Sequence, residues 1–267
     1  MSETDTVFVF SPTESTWKSS NQFPIPNRGM NFGDGLFETM VFDGEQIRFF
    51  EFHLDRLRMG IRILGITAPE VYSSDLEKWV KNRYAGQKLR IRWNLFRAGS
   101  GKYTPELNHA CQTLHIQELT PAPMEKKKAA FSEKVTLFSS PWSRCKTLSA
   151  LPYVMAAQER VARKLDELIL LDYRGKVAEA SSSNIFWRRG KKVFTPSLSC
   201  GAIEGVGRRA IMEKLGRLIE EGEFTSNELL RADQVWVSNV TGVSYLEKID
   251  SMEFSTEALP YLFEIFD

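Results

Sequence analysis

Cysteine and histidine are scarce in this chain. Among its 267 residues there are three of each: Cys111, Cys145 and Cys200, and His53, His109 and His115. None stands at the short, repeated spacing that a zinc site uses, so no metal is expected. The cysteines are odd in number and far apart, and the opening MSETDTVFVF lacks the basic start and long apolar core of an export signal. Reduced thiols in a cytoplasm are the expectation. No apolar run approaches the roughly 18 residues of a membrane helix, so no membrane partner is expected. A net charge of +1 leaves out the basic excess of a dedicated nucleic-acid binder. Internal repeats and low-complexity segments are missing as well. What remains, 42% hydrophobic and 26% charged, is the composition of an ordinary globular protein, long enough for a sizeable core and for two domains.

The most informative stretch is Leu168–Trp187, LILLDYRGKVAEASSSNIFW. Leu168–Tyr173 is an apolar run of strand length, Arg174-Gly175 supplies a turn, and a second extended segment delivers Glu179. Serines, an asparagine and Ile185-Phe186-Trp187 follow. A buried carboxylate there needs a partner, because an unpaired buried charge costs several kcal/mol. A surface hairpin with a solvated Glu179 fits the spacing equally well.

Upstream, Val7–Phe10 reads as a strand and Gln22–Gly29 as a turn-rich loop. Gly33-Asp34-Gly35 opens a strand through Phe42, closed by the turn Asp43-Gly44. No GK[ST] or GxGxxG follows these glycines, so a tight turn is a better reading than a phosphate cradle. Leu54, Leu57, Ile61 and Leu64 mark one face of a helix over Phe50–Gly65, with His53, Arg56 and Gly60 on a neighbouring stripe. Arg56, at the edge of that buried face, is placed to meet an anion or an internal carboxylate. A second helix is expected over Ser74–Tyr84 and strands over Leu89–Phe96 and Cys111–Gln117. Between the two strands, Arg97–Tyr103 reads as a flexible basic loop. Leu119–Lys128, with its prolines and the run Lys126–Lys128, reads as a solvated linker between domains 1–118 and 129–267.

The second half opens with a strand at Lys134–Phe138 and a helix over Pro152–Lys164, proline standing at the helix start. Lys146 lies between them, and taken alone is one surface charge among many. A strand at Val193–Thr195 precedes Gly201–Arg209, which leads into a helix expected to reach about Glu221, with Ile211, Leu215, Leu218 and Ile219 on its apolar side. Glycines before a helix leave backbone N–H groups able to meet an anion, although such turns are common. A strand at Gln234–Ser238 ends in the polar turn Asn239–Val243.

Each signal is weak alone, yet together they form one set: a lysine for an imine, an acid at a strand end, an arginine beside a helix core and glycine-rich backbone opening a helix. Pyridoxal phosphate asks for these groups. The motifs NRGMNFGDGLFET, HLDRL, KTLSALPYVMA, DYRGKVAEASSSNIF and GAIEGVGRR, in this order along nearly the whole chain, resemble the class IV, fold-type IV pyridoxal-phosphate enzymes. That family includes D-amino-acid and branched-chain aminotransferases and 4-amino-4-deoxychorismate lyase.

The resemblance implies a two-domain α+β fold like that of D-amino-acid aminotransferase, with the cofactor between the domains and the lysine on the second. It implies that Lys146 binds the cofactor's aldehyde and moves the proton, that Glu179 binds the pyridine nitrogen, and that Arg56 binds the phosphate. Backbone amides of Val206 and Gly207 would also hold the phosphate, although the family usually has threonine where Gly207 stands. Thr241 would offer a second hydroxyl from a turn that is about a residue short. Ser181 and Ser182 would line the cofactor, and Asn184 would brace their loop. Arg28, Thr39 and Arg97 are the candidates for the substrate. A homodimer with shared active sites, acting on small amino and keto acids, is implied too. Amino transfer is the first expectation; the alternative is the lyase reaction that releases pyruvate and 4-aminobenzoate, for which RAGSGKY is the matching loop. A member that only binds the cofactor would lack Lys146 or Glu179, and both are present.

Overall fold

The structure, a computed structural model, describes residues 6–20, 25–71 and 75–266. Gln22, Phe23 and Pro24 of the expected N-terminal loop, and Ser74 at the expected start of the second helix, lie outside the described residues. The chain folds as two units, Met1–Thr120 with Cys145–Ser149, and Pro121–Arg144 with Ala150–Asp267.

In the first unit, β1 (Thr6–Ser11), β2 (Thr16–Ser19), β3 (Gly35–Phe42), β4 (Leu89–Arg97) and β5 (Ala110–Glu118) form an antiparallel sheet in the order β2-β1-β5-β4-β3. The period-two alternation of β4 buries Leu89, Ile91, Trp93 and Leu95 and turns Arg90, Arg92 and Asn94 to the other face. A short helix α1 (Arg28–Phe32) precedes β3; α2 (Phe50–Leu64) and α3 (Leu76–Tyr84) cover the apolar face. The α2 residues Leu54, Leu57 and Ile61 join Val80 and Tyr84 of α3 in that core. Each such side chain contributes about 1.5–3 kcal/mol on burial. Gly60 permits the close approach of α2 to the sheet, because a Cβ there would stand 2.7 Å from Leu36. The helix ends at Gly65, which adopts φ 62° and turns its N–H back to Ile61 and Arg62.

Lys146 belongs to this unit and not to the second one, where the sequence places it. The Phe37 amide donates to Lys146 O at 2.8 Å and the Leu148 amide to Gly35 O at 2.9 Å, with Leu36 and Thr147 paired antiparallel. The segment thus satisfies the edge of β3 that β4 leaves unpaired.

The second unit has two sheets. One runs β12-β11-β10-β13-β14-β6, from β6 (Glu125–Lys126), β10 (Asn184–Arg189), β11 (Lys192–Pro196), β12 (Ile219–Gly222), β13 (Gln234–Asn239) and β14 (Gly242–Leu246). The other runs β16-β15-β7-β8-β9, from β7 (Ala129–Leu137), β8 (Glu167–Asp172), β9 (Val177–Ala180), β15 (Lys248–Ile249) and β16 (Met252–Glu253). Its helices are α4 (Leu151–Ala162), α5 (Val206–Leu215) and the single turns α6 (Ser226–Leu229) and α7 (Pro260–Phe263).

Two further expectations are corrected. Helix α5 stops at Leu215 instead of continuing to Glu221, because Gly216 takes φ 51° and Ile219–Gly222 pairs in parallel with β11. The expected linker is not wholly solvated: Glu125–Lys126 pairs with β14, and the Lys126 ammonium lies 2.5 Å from the buried Glu167 carboxylate. That acid, 1% exposed, requires a cation.

Candidate functional site

The first unit gathers an unusual set of charges. Along β3, Leu36, Met40 and Phe42 face the core, and Glu38 shares their register. Its carboxylate is 1% exposed and meets two residues of α2. Arg56 donates Nε to Oε1 at 2.8 Å and a terminal nitrogen to Oε2. His53 Nδ1 lies 2.6 Å from Oε2. Burial alone would raise the pKa of Glu38. The charge of Arg56, then the hydrogen bonds from His53 and Arg56, overcome it and bring the value to about 2.

Burial pushes the His53 imidazole below its usual range; the Glu38 hydrogen bond and charge oppose this, and the charges of Arg56 and Lys146 add to it. The ring is therefore neutral, with Nδ1–H donating to Glu38. Its Nε2 is buried and finds no hydrogen-bond partner among the described residues.

On the opposite face of β3, the Lys146 ammonium stands 4.5 Å from the centre of the Phe37 ring. The Arg92 guanidinium stands 3.8 Å from the same centre. Thr39 is the cross-strand partner of Arg92 and half-buried. Lys146 and Arg92 thus share one aromatic ring, that of Phe37, and Thr39 lies across the strand from Arg92. Arg92 is an addition to the sequence-derived set. Its signal was the repeated arginine on the solvated register of β4.

Arg28 and Arg97, both read from the sequence as substrate residues, are occupied elsewhere. Arg28 is 4% and Arg97 7% exposed, and both donate Nε to Asp34 Oδ2, at 2.7 and 3.0 Å. Arg97 also donates to the carbonyls of Leu64 (2.6 Å) and Gly65 (3.0 Å) and to Asn108 Oδ1 (2.6 Å), closing the C-terminal end of α2. Arg28 donates to the carbonyls of Lys102 (2.5 Å) and Tyr103 (3.2 Å), and its own amide to Gly99 O at 3.1 Å. The loop read as flexible is therefore tied down along its length.

In the second unit, Glu179 is the penultimate residue of β9 and is 3% exposed. Its Oε1 accepts the Tyr153 hydroxyl at 2.6 Å and the Ile203 amide at 3.2 Å. The Ile203 carbonyl accepts Asn184 Nδ2 at 2.9 Å, so Asn184 braces the loop as expected. Arg144 grips the next residue: its Nε bonds Glu204 Oε2 at 2.9 Å, and the Glu204 amide donates to Arg144 O at 3.0 Å. Gly205 must lack a side chain, since a Cβ would fall 1.7 Å from Asn184 Oδ1.

Helix α5 then begins on bare backbone. Gly205 stands at its N-cap and offers no side-chain hydrogen bond, so nothing in its own side chain covers the first amides, those of Val206 and Gly207. A Cβ on Gly207 would meet Asn239 O at 2.9 Å. Asn239 in turn accepts the Thr241 amide at 2.9 Å and the Thr241 hydroxyl at 2.6 Å on Oδ1. Its Nδ2 donates to Ser183 Oγ at 3.2 Å and Ser182 O at 3.4 Å. Asn239 therefore joins the serine loop, the Thr241 turn and the start of α5. The Ser181 hydroxyl donates to Glu167 at 2.6 Å, which makes it a brace of that loop, while Ser182 is exposed. A helix N-terminus without a side-chain cap, beside a fixed turn, suits a phosphate, and a seated acid suits a protonated ring nitrogen. Among the described residues, no cluster of His, Cys, Asp or Glu could hold a metal ion.

The family model described as amino-transferase class IV matches residues 35–245. The chain is 26% identical over 246 residues to an aminodeoxychorismate lyase of Vibrio harveyi, covering 86% of this chain and 88% of that one. It is 28% identical over 235 residues to a D-alanine aminotransferase of Bacillus licheniformis, covering 81% and 79%. A branched-chain aminotransferase from Thermoproteus uzoniensis, solved with norvaline, has the same fold: TM-score 0.83 at 24% identity, covering 98% of this chain and 92% of that one.

Proposed function

Because this chain belongs to the class IV amino-transferase family, we propose that it binds pyridoxal 5'-phosphate and works on a small amine that also carries a carboxylate. The observation that carries this reading is the first-unit cluster, in which Lys146 and Arg92 share the ring of Phe37. Bound there, the cofactor supplies a ring that takes up the electron pair left when a bond to the substrate's α-carbon breaks. Lys146 would hold the cofactor's aldehyde, and its Nζ would be the group that moves the proton. Glu179 holds the proton of the ring nitrogen. Arg56, kept in plane by Glu38, is the side chain offered to the phosphate, with the amides of Val206 and Gly207; the Thr241 hydroxyl donates to Asn239 Oδ1 and braces that turn instead. Arg92, beside Thr39, takes the substrate carboxylate, the part that sequence reading gave to Arg97 and Arg28.

Elimination of pyruvate from 4-amino-4-deoxychorismate is the first reading of the outcome. Arg97, one of the candidates for the substrate, is engaged with Asp34 and α2, and Arg28 shapes the RAGSGKY loop. The Vibrio harveyi relative bears the lyase's name. Amino transfer is the second reading, favoured by the Bacillus licheniformis relative and served by the same catalytic groups. A homodimer is proposed as well, supported by the exposed apolar side chains Leu151, Val154, Met155 and Val161 along α4.

The test mixes cofactor-loaded protein singly with aminodeoxychorismate, D-alanine, D-glutamate, L-leucine and L-glutamate. Release of pyruvate and 4-aminobenzoate, with the starting absorbance restored, supports elimination. Keto acid formed in amounts equal to the protein, with the absorbance left changed until a second keto acid is added, assigns amino transfer. No reaction with any of the five sinks both readings.

A further inference from the structure

Glu179 is seated by a residue that none of the motif's roles assigns. Tyr153 lies in the first turn of α4, whose start is marked by Pro152. Its phenol reaches the Glu179 carboxylate at 2.6 Å, on the same oxygen that takes the Ile203 amide at 3.2 Å. The short distance is that of an O–H donor to an anion, the stronger class of hydrogen bond. Burial raises the pKa of the phenol, and the charge of Glu179 and the bond to it raise it further, so the hydroxyl stays protonated and remains a donor. Two donors on one oxygen fix the plane of the carboxylate. Because they bind the charged form, they also hold it ionised.

We propose that Tyr153 is a positioning residue, which orients Glu179 and keeps it in the charged state that a protonated ring nitrogen requires. This rests on the reading of Glu179 given above. Without the phenol, the carboxylate loses a charge-assisted donor and the orientation that donor imposes, so it meets a ring N–H less well. The effect is specific to a ligand with a ring nitrogen. A structural role for Tyr153 would touch every ligand of that pocket alike.

The experiment measures dissociation constants of apoprotein for pyridoxal phosphate and for its 1-deaza analogue, which lacks the ring nitrogen, by quenching of tryptophan fluorescence. Wild type prefers the natural cofactor. In Tyr153→Phe that preference falls by about 10- to 30-fold, the order of one charge-assisted hydrogen bond, with the analogue bound as before. Tyr153→His, which keeps a ring and a donor, is expected to fall between wild type and Phe and serves equally if the Phe variant does not fold. Equal losses for both ligands, or no loss, overturn the proposal. Glu179→Gln separates the two claims. If Glu179→Gln abolishes the preference and the Tyr153 variants retain it, only the role of Tyr153 fails. If Glu179→Gln retains the preference, the ring-nitrogen reading itself fails.

Discussion

Asn239 places its backbone carbonyl 2.9 Å from where a Cβ on residue 207 would stand. Gly207 is therefore dictated by its neighbour and is not a gap left by a lost threonine. Gly207→Thr, which restores the family's usual residue, is expected to weaken cofactor binding by about tenfold or more, since overpacking costs about 1–3 kcal/mol and displaces the turn that Asn239 holds. Fluorescence titration of apoprotein measures it. Tighter binding by the threonine variant would mean that the Asn239 carbonyl yields and a hydroxyl contact is regained.

Glu38 gives the fold a pH dependence whose sign is fixed. Its pKa is about 2 in the folded protein against an ordinary 4.5, so the unfolded chain takes up the proton first. The stabilisation is complete above about pH 4.5 and is lost as the pH falls towards 2; it amounts to about 3 kcal/mol. Urea denaturation at pH 6 and pH 3.5 should show wild type losing stability over this interval and Glu38→Gln losing less. The variant is also expected to be weaker at pH 6, as Arg56 is left buried without its counter-charge. Parallel pH profiles would rule out Glu38 as the source.

Arg97→Ala is expected to cost about 3–5 kcal/mol in stability, because Asp34 and the last carbonyls of α2 lose a buried charged partner. Arg97→Lys should recover little, lacking the fork that reaches Asp34 and both carbonyls. A variant of normal stability with a raised KM would return Arg97 to the substrate.

Arg92→Gln should do the reverse. It is expected to raise KM by about 30-fold, the loss of one charged hydrogen-bonding group, while the thermal transition of the apoprotein stays within a few degrees of wild type. Steady-state kinetics and melting curves give both numbers. An unchanged KM would leave Arg92 as a partner of Phe37 and Asn94 alone.

Lys146→Ala should remove the absorbance that the cofactor acquires on attachment to the protein, together with all turnover. An unaltered spectrum would move the attachment to another lysine.

Much of the fold was legible because periodicity and burial coincide. The alternation in Leu89–Phe96 and the three-four spacing of Leu54, Leu57 and Ile61 are the core faces of β4 and α2. Leu218 and Ile219 kept a helical spacing too, yet Gly216 and the pairing of Ile219 with Val193 prevailed. Pairing of residues 146–148 with β3 joins positions more than a hundred residues apart in the sequence, which no local pattern encodes. Glu38 was readable: an acid in register with Leu36 and Met40 on a buried strand face must have a partner. Arg56 pointed to an anion, and the one that the structure shows is that carboxylate. Asn239 and Tyr153 were not readable in this way, because their roles depend on which loops meet them.

The two peptide groups that meet at Ile203 have a wider consequence. The N–H of one is tied to Glu179 and the C=O of the next to Asn184, two residues before the N-cap of α5. The acid and the residue that braces the helix start are thus fastened to consecutive peptide groups, one Cα apart, and the loop between Cys200 and Val206 works as a gauge of fixed length. Gly205 admits no side chain there, and one residue more or fewer would shift the carboxylate and the first amides of α5 out of step with each other. Specificity can drift in this protein by changing what lines the site; the spacing of its anchors cannot drift with it.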